Sequence, residues 1–219
     1  FTDGTTQTIL SDSSWLCYDK GPVTSNGWLD GEDYDARKEV TNWTAPNFDD
    51  SSWKPVKIYS APSEKVIMQA YIGQPVRVDE VRTALKMTEP LPHHYVYDMG
   101  QNMVGVPHIT LKGKNGQQIT LNYCEMLYPE IIPTEPVAPY TIDIYQQKHG
   151  QIYTDNYRSA LSTDHYTCKG APEGEVFEPH LTSHGFRYIQ ITGTDAPLPL
   201  EDVQVLVLNS LEKPQTSSY

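Results

Sequence analysis

The chain has 219 residues, 38% of them hydrophobic, with a mean hydropathy of −0.52. That length holds one large domain or two modest ones, and no run of about 18 apolar residues offers a membrane-spanning helix. The net charge of −12, with Lys and Arg scattered, repels polyanions. Nucleic acid and an anionic membrane surface are therefore not expected as partners. A neutral sugar is indifferent to that field, and a hard cation such as calcium is admitted by it.

Fifteen tyrosines and seventeen prolines favour half-buried strands separated by loops. In chain order, strand-like runs are expected at residues 7–10, 76–81, 95–98, 108–112, 118–123, 164–168, 187–192 and 203–208. The proline-bearing stretch 87–92 cannot hold a central strand and reads as a connector at a domain boundary. Across residues 109–121 two alternating runs flank Lys114-Asn115-Gly116, the chemistry of a tight hairpin. Residues 128–149 carry four prolines and read as a long loop. Residues 155–162, where Tyr157 and Leu161 would share a face, come closest to a helix. The pattern predicts an all-β chain of two antiparallel β-sandwich units, jelly-roll or concanavalin-like.

Cys17, Cys124 and Cys168 include no CxxC pair and make neither a disulfide framework nor a zinc site; they read as small buried hydrophobes. The densest polar cluster runs from Asp30 to Arg37, followed by Trp43, Asp49, Asp50 and Trp53. Asp30, Glu32, Asp33, Asp35, Asp49 and Asp50 offer the oxygens calcium needs, although the spacing is not that of an EF-hand. Trp43 or Trp53 offers a platform for a sugar. The competing structural reading pairs Asp35 with Arg37 and places both tryptophans in the core. Glycoside hydrolysis needs two facing carboxylates, and sequence cannot place a pair among Glu125, Glu130, Glu175 and Glu178. There is no Gly-x-Ser-x-Gly elbow. His93-His94 would point to opposite strand faces, and His180 and His184 have no metalloprotease glutamate between them.

Four blocks carry a resemblance: Gly31 to Arg37 with Trp43 and Pro46 to Trp53; Tyr97 to Gly105; Asn122 to Leu127; and Thr163 to Gly170 with Phe177 to Tyr188. Together they resemble the bacterial α-L-rhamnosidases, which are glycoside hydrolases of carbohydrate metabolism. The resemblance implies that residues 1–88 are the C-terminal part of an N-terminal β-sandwich domain. That first sandwich would be incomplete, because family members carry earlier strands. Residues 89–210 would form a concanavalin-like β-sandwich, and 211–219 a tail.

The resemblance also implies that catalysis belongs to an (α/α)6 barrel of the parent chain, the expected partner together with rhamnose-containing glycans. No catalytic residue is then expected here. Sugar contact is implied at Asp30, Glu32, Arg37 and Trp53, with calcium at Asp30 and Glu32 in the manner of some members. Leu29, however, stands where an acidic ligand is wanted.

The other motif residues are expected to be structural: Asp98, Gly100, Gln101, Asn102, Gly105, Glu125, Gly185, Phe186, Arg187 and Tyr188. Gly100 and Gly105 suit unusual φ or close backbone approach, and Asp98, Gln101 and Asn102 suit bonds to loop backbone. Glu125 is expected to pair with Arg187, and Phe186 and Tyr188 to share one strand face. The competing readings are a calcium-dependent carbohydrate-binding module, a free-standing hydrolase and a structural assembly domain. The compartment stays open among periplasmic, extracellular and cytoplasmic.

Overall fold

The computed structural model describes residues 1–60, 62–63, 65–129 and 147–211. Most of the expected 128–149 loop, Glu130 and nearly all of the tail lie outside these residues. The chain separates into two compact units, one of Phe1–Gly21 with Val40–Gly73, the other of Pro22–Glu39 with the residues from Gln74 onward.

In the smaller unit, β1 (Leu16–Cys17) pairs antiparallel with β4 (Lys54–Pro55). The Trp53 ring is half-buried, with the Tyr18 and Phe48 rings each at 5.8 Å. Trp43, expected either as a sugar platform or in a core, is 60% exposed. Residues 7–10, expected as a strand, form none; Ile9 and Leu10 are exposed and no second chain segment supplies a ladder. No described residue of this unit is buried.

The larger unit is built on one curled sheet, with a separate two-stranded sheet beside it in the same unit. Its strand order is β2 (Val23–Gly27), β3 (Gly31–Asp35), β11 (Thr163–Thr167), β8 (Gln118–Cys124), β13 (His184–Thr192), β7 (His94–Leu111), β14 (Val203–Asn209), β5 (Arg77–Thr83). β6 (Lys86–Leu91) and β12 (Glu175–Phe177) also pair with β7, and β9 (Met126–Leu127) pairs with β10 (Ile152–Tyr153). Among the described residues every ladder is antiparallel except β3 with β11. β7 is 18 residues long. Its first part lies between β6 and β13, and its last part between β14 and β12, so the sheet changes partners along one strand and wraps its core.

Two-residue alternation delivers that core. Ile119 and Leu121 from β8, Val203 and Val205 from β14, and Ile109 and Leu111 from β7 meet Tyr166 and Phe177. Each fully buried aliphatic or aromatic side chain contributes about 1.5–3 kcal/mol.

Two expectations are corrected. The turn at Lys114–Gln117 forms, with the Gln117 amide donating to the Lys114 carbonyl at 2.9 Å, but it does not close a hairpin. β13 lies between β7 and β8, and the turn is tied instead to β11 through Gly116 and the Cys168 carbonyl. A turn sequence specifies a reversal and leaves open which strand fills the gap. Second, residues 87–92 are not a connector: β6 is a strand, paired only with β7, and its register shifts between Thr88 and Leu91, where Pro90 needs no ladder donor. His93 sits in the following turn at φ 60°, off the strand. Residues 155–162, the stretch closest to a helical pattern, give only a 3₁₀ turn over Asp155–Tyr157, ended by Arg158 at φ 58°, in keeping with the all-β expectation.

Gly31 opens β3 at φ +118°, and a Cβ there would lie 1.9 Å from the Thr163 carbonyl oxygen. Gly31→Ala is expected to cost about 3 kcal/mol or more, from strain plus lost β3–β11 contact. The readout is a lower urea midpoint at unchanged slope; a loss under about 1 kcal/mol would contradict this account of the junction.

Candidate functional site

Two polar junctions hold the motif residues. At the first, β13 pairs with β7 as Tyr188 with Asp98 and then Phe186 with Met103, so Arg187 alone stands opposite the stretch from Met99 to Asn102. Gly100 turns that stretch at φ +86°. Asp98 receives the Arg187 Nε and Nη2 hydrogens at 2.8 Å each, one on each oxygen, and the Gly100 amide at 2.8 Å. The Arg187 bonds, with the backbone bond and the guanidinium charge behind them, hold the Asp98 carboxyl below its ordinary value.

Glu125 does not pair with Arg187. Its two oxygens accept the side-chain amides of Asn102 and Asn156, at 3.2 and 2.9 Å, because Asp98 presents a two-pronged acceptor directly across the ladder. The bulge at Arg187 also reverses the alternation. Phe186 shares the core with Ile189 and Ile191, while Tyr188 stays half-exposed with the Arg187 guanidinium 5.0 Å from its ring centre. The expected shared face of Phe186 and Tyr188 is thereby overturned. Gly105 pairs on both sides, with His184 and with Val207, where β7 exchanges one neighbour for the other. Gly185 is exposed, and its carbonyl accepts the Tyr157 hydroxyl at 2.8 Å. Gln101 is exposed.

The second junction is buried, and sequence reasoning did not single it out as a site. Asp164 of β11, 0% exposed, accepts the Glu32 amide at 2.8 Å, the Tyr123 hydroxyl, and contacts His184 Nε2 at 3.1 and 3.2 Å. The His184 ring stacks on Tyr123 with centroids 4.1 Å apart. Burial, and next the Asp164 charge, pushes the Tyr123 hydroxyl far above its ordinary value and keeps it a donor. The Glu32 carboxylate is fully buried; Oε2 accepts the His180 and Leu181 amides at 3.2 and 3.0 Å, and Oε1 has no hydrogen-bond partner. Burial raises the Glu32 carboxyl against the pull of those two amides.

Ser162 Oγ lies 3.4 Å from His184 Nδ1, which lines up the residue types of a hydrolytic triad. A nucleophile must meet substrate, yet Ser162 is buried and the neighbouring cleft is lined by Leu161 and Thr163 instead. The arrangement is therefore a structural network.

Within the larger unit, Asp30, Glu32 and Arg37, expected to hold sugar and calcium, do not line one cleft. Asp30 is exposed and, with Asp33, lines a cleft of about 240 Å³ that Glu32 does not line. Arg37 is occupied by Asp35, at 2.8 and 2.9 Å, and Trp53 belongs to the smaller unit. Calcium takes six to eight oxygens, and Glu32, with one oxygen spent on two amides inside the protein, does not fit beside Asp30 as a ligand. Among the described residues no group of three or more His, Cys, Asp or Glu is placed to hold a metal ion.

Three candidate acids are likewise engaged. Glu125 holds two asparagines, and Glu178 pairs with His108 at 2.8 Å. Glu175 is buried; that burial pushes its carboxyl up, but the Lys169, Gly170 and Ala171 amides and the Tyr166 hydroxyl outweigh it and lower it.

Because the folded value of Asp98 is depressed, its pairing stabilises the fold above the ordinary value of 3.8 and the benefit fades as pH falls through the lowered one. Asp98→Asn should therefore cost about 1–2 kcal/mol at neutral pH, a figure reduced for solvent around Arg187. The difference between variant and parent stabilities should close on acidification below 3.8. Chemical denaturation at a series of pH values reads it; a pH-independent difference would contradict the assignment.

Comparison with known proteins matches two domain families in order along the chain. Residues 1–80 match the alpha-L-rhamnosidase N-terminal domain, and residues 88–209 the bacterial alpha-L-rhamnosidase concanavalin-like domain. An alpha-L-rhamnosidase of Streptomyces avermitilis is 40% identical over 194 residues, 88% of this chain and 17% of that protein. One from Alteromonas sp. is 35% identical over 196 residues, 89% of this chain and 19% of that protein. The crystal structure of the S. avermitilis alpha-L-rhamnosidase complexed with L-rhamnose aligns with a TM-score of 0.79 at 36% identity, over 96% of this chain and 18% of that one. The alpha-L-rhamnosidase structure from Dictyoglumus thermophilum gives 0.78 at 33% identity, over 96% and 21%. The chain thus spans only 17–21% of the length of the curated relatives it matches. With both domain types matched in order along an all-β chain, the chain belongs to the bacterial α-L-rhamnosidase family.

Proposed function

We propose that the chain is a non-catalytic ancillary part of an α-L-rhamnosidase-like glycoside hydrolase. It positions the catalytic (α/α)6 barrel of its parent polypeptide toward rhamnose-containing glycans. Residues 1–88 supply the end of the N-terminal sandwich, 89–210 the concanavalin-like domain and 211–219 a tail. The observation that carries this reading is coverage: the matched region is 17–21% of each curated relative, which leaves most of such a protein for the chemistry. The engagement of Glu125, Glu175 and Glu178 in structural bonds supports it, since glycoside hydrolysis needs two carboxyls open to a shared substrate.

Direct sugar contact is secondary in this reading. It would fall to Asp30 beside its cleft, to Arg37 and to Trp53, whose rings and charges already have protein partners. The L-rhamnose in the S. avermitilis complex sets the sugar to try first.

Assayed alone, the chain is expected to release no nitrophenol from an aryl α-L-rhamnoside, while the parent polypeptide does. Calorimetry with L-rhamnose, in calcium and in chelator, is expected to show no heat from the chain in either. Nitrophenol release by the chain itself overturns the reading, and calcium-dependent heat replaces scaffold with a binding module.

A further inference from the structure

The strands β7 and β14 carry apolar residues on both faces, and β5 adds Val78 and Val81 to the outer one. Val203 and Val205 of β14 point into the core, so alternation sends Leu206 and Leu208 outward. There Leu206 pairs with Val106 and Val81, and Leu208 with Val78. Leu206 and Leu208 join Trp28, Val78, Val104 and Leu181 in lining an open groove of about 760 Å³. Trp28 is 70% exposed, and Val78, Val104 and Leu181 are 52–53% exposed. A sheet with one wet face alternates apolar and polar; strands apolar on both faces are built to be covered twice. A contiguous apolar surface of this kind marks a docking site.

We infer that this groove receives the catalytic portion of the parent polypeptide. The inference rests on the proposed function and names the surface through which positioning acts. Two observations choose this occupant. The matched region is 17–21% of each curated relative, so a large covalently linked body is available. The last strand, β14, also ends beside the groove, with Asn209 and Ser210 among the residues that line it. A second copy is a poorer occupant, because each copy carries a net charge of −12 and the two repel.

The test compares hydrogen exchange of the β5 and β14 amides in the 219-residue chain and in the parent polypeptide, each with and without Val104→Lys or, independently, Leu181→Lys. A lysine stem lies along an apolar surface with its ammonium in water, so both variants of the isolated chain should melt as the unmodified chain does. In the parent, β5 and β14 should exchange at least about tenfold more slowly than in the isolated chain, and either lysine should abolish that protection. Equal exchange in chain and parent overturns the proposal. So does an isolated chain that sediments as a dimer and is dispersed by the lysines. Exchange is read without reference to turnover, so a parent inactive on the aryl rhamnoside counts against the proposed function, and unprotected strands count against this interface.

Discussion

The larger unit depends on one buried carboxylate. Asp164 has no solvent of its own and takes donors from three other strands: the Glu32 backbone of β3, the Tyr123 hydroxyl of β8 and the His184 ring of β13. A buried carboxylate costs several kcal/mol unless such bonds satisfy it, so each donor is held in place by what its loss would leave behind. Around this point β3 lies parallel to β11, Tyr123 and His184 stack, and Gly31 passes within a Cβ's width of the Thr163 carbonyl. The segment Pro22–Glu39, inside the stretch matching the N-terminal domain family, is thereby built into the sheet that matches the concanavalin-like family.

The second junction shapes the same sheet. The Asp98–Arg187 fork spans the place where β7 bulges against β13. Beyond it, Gly105 lets β7 exchange β13 for β14. The two most distinctive motif blocks of the sequence, at Asp98–Gly105 and His184–Tyr188, are therefore two sides of one ladder. Their chemistry fixes a bend and a register, and the strands beyond the bend, β14 and β5, carry the outward apolar face to which the inferred docking groove belongs.

Local structure was legible wherever one strand face is buried. Ile119 and Leu121 alternate with polar neighbours, so β8 follows from period alone, while β14 reads as a strand from its compact run of Val and Leu. Partner choice was not legible. Asn115-Gly116 marks a reversal, yet the strand inserted between its arms comes from some seventy residues later, a fact no local pattern encodes. The bulge at Arg187 was equally silent, and with it the switch that puts Phe186 beside Ile189 rather than Tyr188. Carboxylates posed the hardest case. Glu32 sits in an acidic run that reads as a solvated or calcium-binding loop, and only its position on the inner face of β3 makes it a buried acceptor for two amides. Asp164 and His184 lie twenty residues apart without a spacing that signals contact.

The account stands or falls on Asp164 as the joint between β3 and the rest of the sheet. The direct measurement is hydrogen exchange at the Glu32 amide, with denaturant unfolding, in the unmodified chain and in Asp164→Ala. The account predicts a loss of about 3–5 kcal/mol of stability, as for leaving several buried hydrogen-bond donors unpaired, and loss of protection at the Glu32 amide ahead of the β8 and β13 amides. A Glu32 amide that stays as protected as before, with stability changed by less than about 1 kcal/mol, would contradict it.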